Sequence, residues 1–413
     1  MNHTNNKKDQ FDKNTLIKLI NKYNTPLWIY DKNIIQKQII QLQQFNRIRF
    51  AQKSCSNINI LKIMKEHKIH VDAVSQGEIE RALTAGFTPK EIIFTADLFD
   101  YQTLLRIIEL NITVNIGSID MLHQIGKLSP QHAIWLRVNP KFGHGHHEKT
   151  NTGGENSKHG IWNILEAIDI INKYKLKLIG IHIHIGSGVN NEYLEKVCNA
   201  MVNTIYSLKK DIQWISAGGG LPIPYRLEEK NINIKNYFNL WNIARIKIEK
   251  FLGHSIKLEI EPGRFLVAES GILVSEIRAI KTMGKKHYTL VNAGFNDLIR
   301  PTMYGSYHYI SVIHKNDPNT YSNQQVETII GGPLCESGDI FTQNSNNILT
   351  TRLLPKTKIG DYIIFHDTGA YGASMSSNYN SRPLIPEIIL ENGIPKLIRR
   401  RQTYQEMMQL ELI

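Results

Sequence analysis

Four short segments of this sequence carry residue types that do chemistry together. Lys53 lies in Arg-Phe-Ala-Gln-Lys-Ser-Cys-Ser-Asn, just past the apolar run Ile48–Ala51. A lysine amine there can form a Schiff base with an aldehyde cofactor; in a lysine-rich chain it also fits an ordinary surface position. His182 and His184 stand two apart in Gly-Ile-His-Ile-His-Ile-Gly-Ser-Gly, so on a strand they point the same way. They fit a metal pair, or one core histidine and one at the strand tip. A third reading sets His184 over a flat cofactor ring, with Ser187 and the glycines near a phosphate. Gly218-Gly219-Gly220 follows another apolar run, and glycines after a strand let backbone N–H groups approach an anion. They also serve tight turns. Glu259 and Glu261 share one face of the run that ends in Glu261-Pro262-Gly263-Arg264. A carboxylate at a strand tip suits the protonated ring nitrogen of pyridoxal phosphate, and equally a salt bridge in a turn. Together the segments supply, in order, an amine, a ring-stacking residue, an anion cradle and a pyridinium partner.

The elements that must position them follow a simple rhythm. Between about residues 27 and 270, apolar runs of strand type alternate with helical spacing. Strands are expected at Leu27–Tyr30, Ile48–Ala51, Val71–Val74, Ile92–Thr95, Val114–Ile116, Ile134–Val138, Leu178–His184, Gln213–Ser216 and Lys257–Ile260. Helices are expected at Ile58–Glu66, Gln76–Ala85, Tyr101–Leu110, Ile119–Ile125, Ile164–Lys173, Glu192–Leu208 and Tyr237–Phe251. Such alternation implies a parallel sheet covered by helices. A repeat count near eight favours a closed (β/α)8 barrel, whose working residues sit where strands end. An open doubly wound sheet is the second possibility. After residue 271 the runs Ile272–Ile280, His287–Asn292, Val326–Ile330, Tyr362–Phe365 and Pro386–Glu391 are separated by Gly, Pro, Asn and Asp, which describes a mostly β domain. The expected division is a cofactor-binding barrel over 32–270 and a β domain over 271–413, joined by the N-terminal segment 1–31. The polar loop from Phe142 to Gly160 is long, as active-site covers often are.

Composition narrows the class. The 413 residues, 41% hydrophobic and 21% charged, suit a soluble globular protein. The start is polar, with no secretory apolar segment behind it, and no run is long enough to span a bilayer. Cys55, Cys198 and Cys335 are odd in number and widely spaced, which argues against a disulfide framework and for a reducing cytoplasm. The net charge of +12 comes without a block of five basic residues. It specifies no nucleic-acid or membrane partner, and an anionic cofactor and substrate would use part of it.

With these residues in place, the sequence resembles the fold-type III pyridoxal-phosphate decarboxylases, the alanine racemase-like barrel group, from about residue 25 to 413. The segments that carry the likeness are 50–57, 184–188, 218–220 and 261–264. To these are added Ile-Arg-Pro-Thr-Met-Tyr (299–304), Gly-Pro-Leu-Cys-Glu-Ser-Gly-Asp (332–339) and Thr-Gly-Ala-Tyr-Gly-Ala (368–373). The likeness is strongest to the bacterial branch acting on meso-2,6-diaminopimelate, which implies release of carbon dioxide and formation of L-lysine. It implies that Lys53 holds the cofactor and His184 stacks on its ring. Ser187, Gly220, Glu261, Pro262, Gly263 and Arg264 would line it, with Glu261 at the pyridinium nitrogen. Arg264, Arg300 and Tyr304 would bind the substrate's distal carboxylate and Glu336 its distal ammonium. Tyr371 would touch cofactor and substrate, and Cys335 would be the proton donor. A thiol of ordinary pKa, about 8.5, is mostly protonated at neutral pH, as a donor must be. In the family, Cys335 and Glu336 reach the site from a second subunit, so a homodimer is implied.

The chain departs from the family pattern at Gln52, where many relatives have Val, and at His159, where many have Phe; both flank the chemistry and mark a subgroup. An ornithine or arginine decarboxylase of the same fold is the alternative activity, and Arg300 speaks against it because neither substrate carries a distal carboxylate. A racemase needs no distal pocket, and a non-catalytic relative would have lost Lys53 or Cys335. A zinc enzyme built on His144, His146, His147 and His159 lacks an element that fixes ligand spacing.

Overall fold

A computed structural model describes residues 11–145, 147–188, 191–318 and 324–413. The chain divides into two compact units, one of residues 38–223 with 231–266, the other of residues 1–37, 224–230 and 267–413. Strand β1 (Leu27–Asp31) precedes a run of eight parallel strands: β2 (Arg47–Ala51), β3 (His70–Ala73), β4 (Ile92–Ala96), β5 (Thr113–Ile116), β6 (Ala133–Arg137), β7 (Lys177–His182), β8 (Trp214–Ser216) and β9 (Lys257–Ile260). β2 to β9 close into a barrel in sequence order, β9 pairing back onto β2 through Arg47 and Glu259. The alternation in the sequence thus builds the expected (β/α)8 barrel, with a mostly β unit beside it in the chain.

The helices between the barrel strands begin where local chemistry starts them. Asn57, Ser75, Asp100, Ser118, Asn163 and Asn233 each precede a helix, and each accepts a bond from a backbone N–H of its first turn. Such caps satisfy donors that a helix start leaves unpaired. Between them, strands whose two faces are both covered read as apolar runs.

The barrel interior is layered. At its lower end Ile93, Trp135 and Trp214 form an apolar plug with Ile179 packed against it, the two indoles 6.5 Å apart. Elsewhere in the interior, on β2, β9, β5 and β4, the side chains turn polar. Arg49 on β2 bonds Glu259 on β9 through Nε at 3.1 Å to both oxygens. Asn115 Nδ2 donates to Thr95 Oγ1 at 3.3 Å. Burial, with Arg49 and Arg47 nearby, lowers His70 to about 3, so this imidazole is neutral.

The second unit is a nine-stranded sheet. β10 (Gly271–Met283), β11 (Lys286–Val291), β13 (Gln325–Gly331) and β14 (Arg352–Pro355) run to one end, and β16 (Glu387–Glu391) and β17 (Ile394–Arg399) to the other. β12 (Ile310–Ile313) pairs with β15 (Tyr362–Phe365), which pairs in turn with β10. Its core gathers Leu27, Ile29, Ile272, Val274, Ile364, Ile388 and Leu390.

Several expectations need correction. Leu27–Tyr30, read as the first strand of the βα alternation, is not a barrel strand: it pairs antiparallel with β10 and parallel with β16. Periodicity reports that a strand exists, not which distant strand it joins. β7 ends at His182 rather than His184, so His184 stands on the chain leaving the strand. β12, β14, β17 and the helix Lys13–Tyr23 were not anticipated. β14 and β17 end the sheet path; β17 has four exposed residues of six and none buried, and β14 buries only Leu354, so neither carries the alternating buried face that writes an apolar period.

Candidate active site

The four sequence segments meet at the end of the barrel where its strands finish, stitched by backbone hydrogen bonds. Ala51 N–H donates to the Pro262 carbonyl at 3.1 Å, Glu261 N–H to the Gly218 carbonyl at 2.8 Å, and Gly188 N–H to the Gly220 carbonyl at 2.9 Å. The chain past β2 thus lies against the chain past β9, that against the chain past β8, and that against the chain past β7. Lys53 occupies the middle of a 3-10 turn, Gln52–Ser54, directly after β2. It is exposed, yet its charge is felt by Asp72, Glu78 and His184.

Close approach at this end needs glycine. A Cβ on Gly219 would lie 2.6 Å from the Glu261 carbonyl oxygen, and Gly218 adopts a φ of +62° with His184 Cβ 2.9 Å from where its own Cβ would be. Gly263 is set against the lysine turn: a Cβ there would lie 3.1 Å from Ser54 Oγ and 3.2 Å from the Ala51 carbonyl. Gly220 and Ser187 are half-buried, Pro262 is buried, and Arg264 is 9% exposed at the start of the short helix Arg264–Val267.

Charge at the mouth is arranged by burial and pairing. Burial alone would raise the Glu261 carboxyl, but His182, whose Nε2 donates to Glu261 Oε2 at 2.8 Å, outweighs it with help from Arg49 and Arg137. Glu261 therefore stays ionised below the usual glutamate range. Ser216 Oγ is 3.4 Å from its other oxygen. His184 is pushed well below the ordinary histidine range, first by burial and then by Arg137 and Lys53, so its imidazole is neutral. Asp72 goes the other way, raised by burial and by the charge of Glu261.

Sequence reasoning missed Asp72, Arg137 and the part played by His182. Asp72 Oδ1, Asn115 Oδ1 and His182 Nδ1 are buried without hydrogen-bond partners, which marks the upper barrel as a polar chamber. The signal was present: Asp72, Asn115, Arg137 and His182 are buried polar strand residues flanked by buried apolar neighbours.

Glu259, two residues before Glu261, is wholly buried and bound to Arg49. The shared face of the two glutamates divides into a structural and a mouth-facing carboxylate. The loop Phe142–Gly160 runs along the segment after β7. His144 N–H and Thr152 N–H both donate to the Ile185 carbonyl, and Ser187 N–H to the Thr150 carbonyl. Its histidines have separate work. His144 stacks on Tyr193 at 4.1 Å, His147 Nδ1 accepts from Lys149 N–H at 3.1 Å, and His159 pairs with Asp97 through Nδ1. His146 lies outside the described residues. Among the described residues no group of three or more His, Cys, Asp or Glu side chains is placed to hold a metal ion.

The remaining predicted residues belong to the second unit. Arg300 is 2% exposed at the start of the helix Arg300–Tyr304, and Tyr304 is half-buried. Cys335 and Glu336 are exposed on the segment 332–339. Asp339 shapes that segment by accepting from Leu334 N–H and Phe295 N–H, both at 2.7 Å, and Cys335 N–H donates to Asn380 Oδ1 at 2.9 Å. Tyr371 is half-buried with a φ of +58°.

The barrel set fits pyridoxal phosphate by the chemistry of its donors. It offers a primary amine on a tight turn, a neutral imidazole beside a glycine run, and a buried carboxylate held ionised.

Comparison with known proteins agrees. Residues 32–268 match the family model of the pyridoxal-dependent decarboxylase, pyridoxal binding domain. A diaminopimelate decarboxylase of Buchnera aphidicola subsp. Schizaphis graminum is 64% identical over 395 residues, covering 95% of each chain. A crystal structure of a diaminopimelate decarboxylase superposes with a TM-score of 0.96 at 54% identity, covering 100% of each chain. A Helicobacter pylori diaminopimelate decarboxylase, solved in complex with L-lysine, reaches a TM-score of 0.83 at 30% identity, covering 95% of this chain and 98% of that one.

Proposed function

The chain belongs to the pyridoxal-dependent decarboxylases and groups with their diaminopimelate decarboxylases, and from that membership we propose that it converts meso-2,6-diaminopimelate to L-lysine and carbon dioxide. The observation that carries this reading is the stitching of the lysine turn, the His184 segment, the glycine run and Glu261 into one barrel mouth, together with an ionised Glu261.

Pyridoxal phosphate supplies, when bound, an aldehyde for amines and a ring that accepts electrons. Lys53 provides the amine that holds it. His184, kept neutral, covers the ring face without adding a charge there. The backbone at Gly220 and the Ser187 hydroxyl bind the phosphate, with Pro262, Gly263 and Arg264 completing the lining. Glu261, ionised by its bond from His182, holds a proton at the ring nitrogen. Arg264, Arg300 and Tyr304 bind the distal carboxylate, Glu336 the distal ammonium, and Tyr371 both substrate and cofactor. Cys335 delivers a proton to the carbon that has lost carbon dioxide. We take residues 32–270 as the cofactor-binding part and 271–413 with 1–31 as the β part. The cytoplasm is its proposed compartment; among the described residues no helix is long and apolar enough to cross a membrane.

The test is carbon dioxide release from meso-diaminopimelate, L-ornithine and L-arginine. Activity on the first alone is expected. Arginine grips a carboxylate through two parallel bonds, and losing one side of a buried charge pair costs several kcal/mol, so Arg300→Ala should lower kcat/KM roughly a hundredfold or more with the cofactor absorbance intact. Unchanged efficiency would remove the argument for diaminopimelate.

We also propose a homodimer in which each site takes Cys335 and Glu336 across the subunit boundary. Mixing the inactive Lys53→Ala and Cys335→Ala proteins under exchange conditions should then restore about a quarter of wild-type activity, since half of randomly re-formed dimers carry one intact site in two. No recovery, with exchange verified by mass, would place both residues in one subunit's site.

A further inference from the structure

Arg300 is held by a buried imidazole. Its Nη1 donates to His308 Nε2 at 2.9 Å, and both side chains are 2% exposed. His308 Nδ1 lies 2.8 Å from the carbonyl oxygen of His366. A carbonyl only accepts, so the proton sits on Nδ1 and the lone pair of Nε2 faces the guanidinium. Tyr225 completes the setting: its ring centroid is 4.9 Å from Arg300 Cζ, and its plane stands at 82° to the His308 ring at 5.5 Å. The sheet holds the imidazole in turn. β12 and β15 pair Ile310 with Phe365, and His366 N–H donates to the Tyr309 carbonyl at 2.9 Å.

The choice of partner has a chemical consequence. A carboxylate in place of His308 would orient the guanidinium and cancel its charge. A neutral imidazole orients it and leaves its charge uncancelled by that bond, which is what a side chain meant to meet a substrate carboxylate needs. We infer that His308 is a positioning residue for substrate selectivity, fixing the Arg300 fork so that it discriminates amino acids bearing a distal carboxylate from diamines lacking one. The inference rests on the reading of Arg300 as the distal-carboxylate grip.

L-lysine and 1,5-diaminopentane differ by that carboxylate alone, so their relative binding to the holoenzyme, by calorimetry, reads the grip without turnover. Two substitutions of similar size separate the ring nitrogens. His308→Gln puts an acceptor oxygen near the Nε2 position. His308→Asn reaches only the Nδ1 position and removes the bond to Arg300 Nη1.

Losing one hydrogen bond to a charged group predicts that His308→Asn weakens L-lysine binding about tenfold and leaves 1,5-diaminopentane unchanged. KM for diaminopimelate should rise by a similar factor while kcat holds, and His308→Gln should recover most of the loss. Equal weakening of both ligands, or Asn and Gln behaving alike, would overturn the inference. Arg300→Ala serves as the control. If it too keeps the preference for L-lysine, the grip reading itself fails; if it loses the preference while His308→Asn keeps it, only the role of His308 falls.

Discussion

Replacing Lys53 with alanine is expected to lower turnover of diaminopimelate by roughly 10⁴-fold or more and to leave no cofactor covalently attached to the chain. The residue has two effects that must be separated. Its ammonium charge lowers the carboxyls of Asp72 and Glu78 and disfavours protonation of His184, so alanine changes the electrostatics of the whole mouth. It is also the amine that the cofactor needs. Lys53→Arg keeps the charge but cannot condense with an aldehyde under ordinary conditions. If covalency is what matters, Arg and Ala fall together. If charge is what matters, Arg retains most activity. Borohydride reduction of the wild-type holoenzyme followed by peptide mapping should find the cofactor on the peptide holding Lys53. Its appearance on another lysine, or an alanine protein within tenfold of wild type, would end the assignment.

The site was legible in the sequence wherever chemistry and backbone geometry are written in one short stretch. Gly218–Gly220, Glu261–Arg264 and the Lys53 turn are local: strand, tight turn and reactive group follow one another within a few residues. The barrel was legible because its helices are spaced regularly and six of them start at an Asn, Ser or Asp cap. Long-range facts were not. The pairing of β1 with β10 and β16 joins residues hundreds of positions apart, and no local pattern states it. The bond from His182 to Glu261 joins the end of β7 to the chain past β9, 79 positions on, and from sequence His182 reads only as a core histidine or half of a metal pair. Asp72 and Arg137 carry no motif of their own: each stands beside apolar strand residues, and no neighbouring residue states its role. A polar residue inside such a strand costs free energy unless it is paired, so four of them in one barrel's strands signal a chamber rather than accidents.

The last such distinction gives opposite expectations for two glutamates one strand step apart. Glu259 is wholly buried and bonded by Arg49 through both oxygens, with Arg47 at 3.5 Å. Glu259→Gln would leave two guanidinium groups facing a neutral amide. Removing one member of a buried ion pair costs about 3–5 kcal/mol, so urea unfolding should show a large loss of stability. Glu261→Gln keeps an oxygen that accepts from His182 and removes only the charge. Stability at neutral pH should change far less, while kcat falls roughly a thousandfold, the scale of losing a preorganised charge at a reacting centre. The pH dependence has a definite sign. A depressed carboxylate stabilises the fold above its unfolded pKa of about 4.3 and loses that contribution as pH falls through the lower folded value. Wild type should therefore lose this increment on acidification below about pH 4.3, and Glu261→Gln should not. Should Glu259→Gln prove stable but inactive, and Glu261→Gln active but unstable, the carboxylate that serves the cofactor is the deeper one and the assignment of the two is reversed.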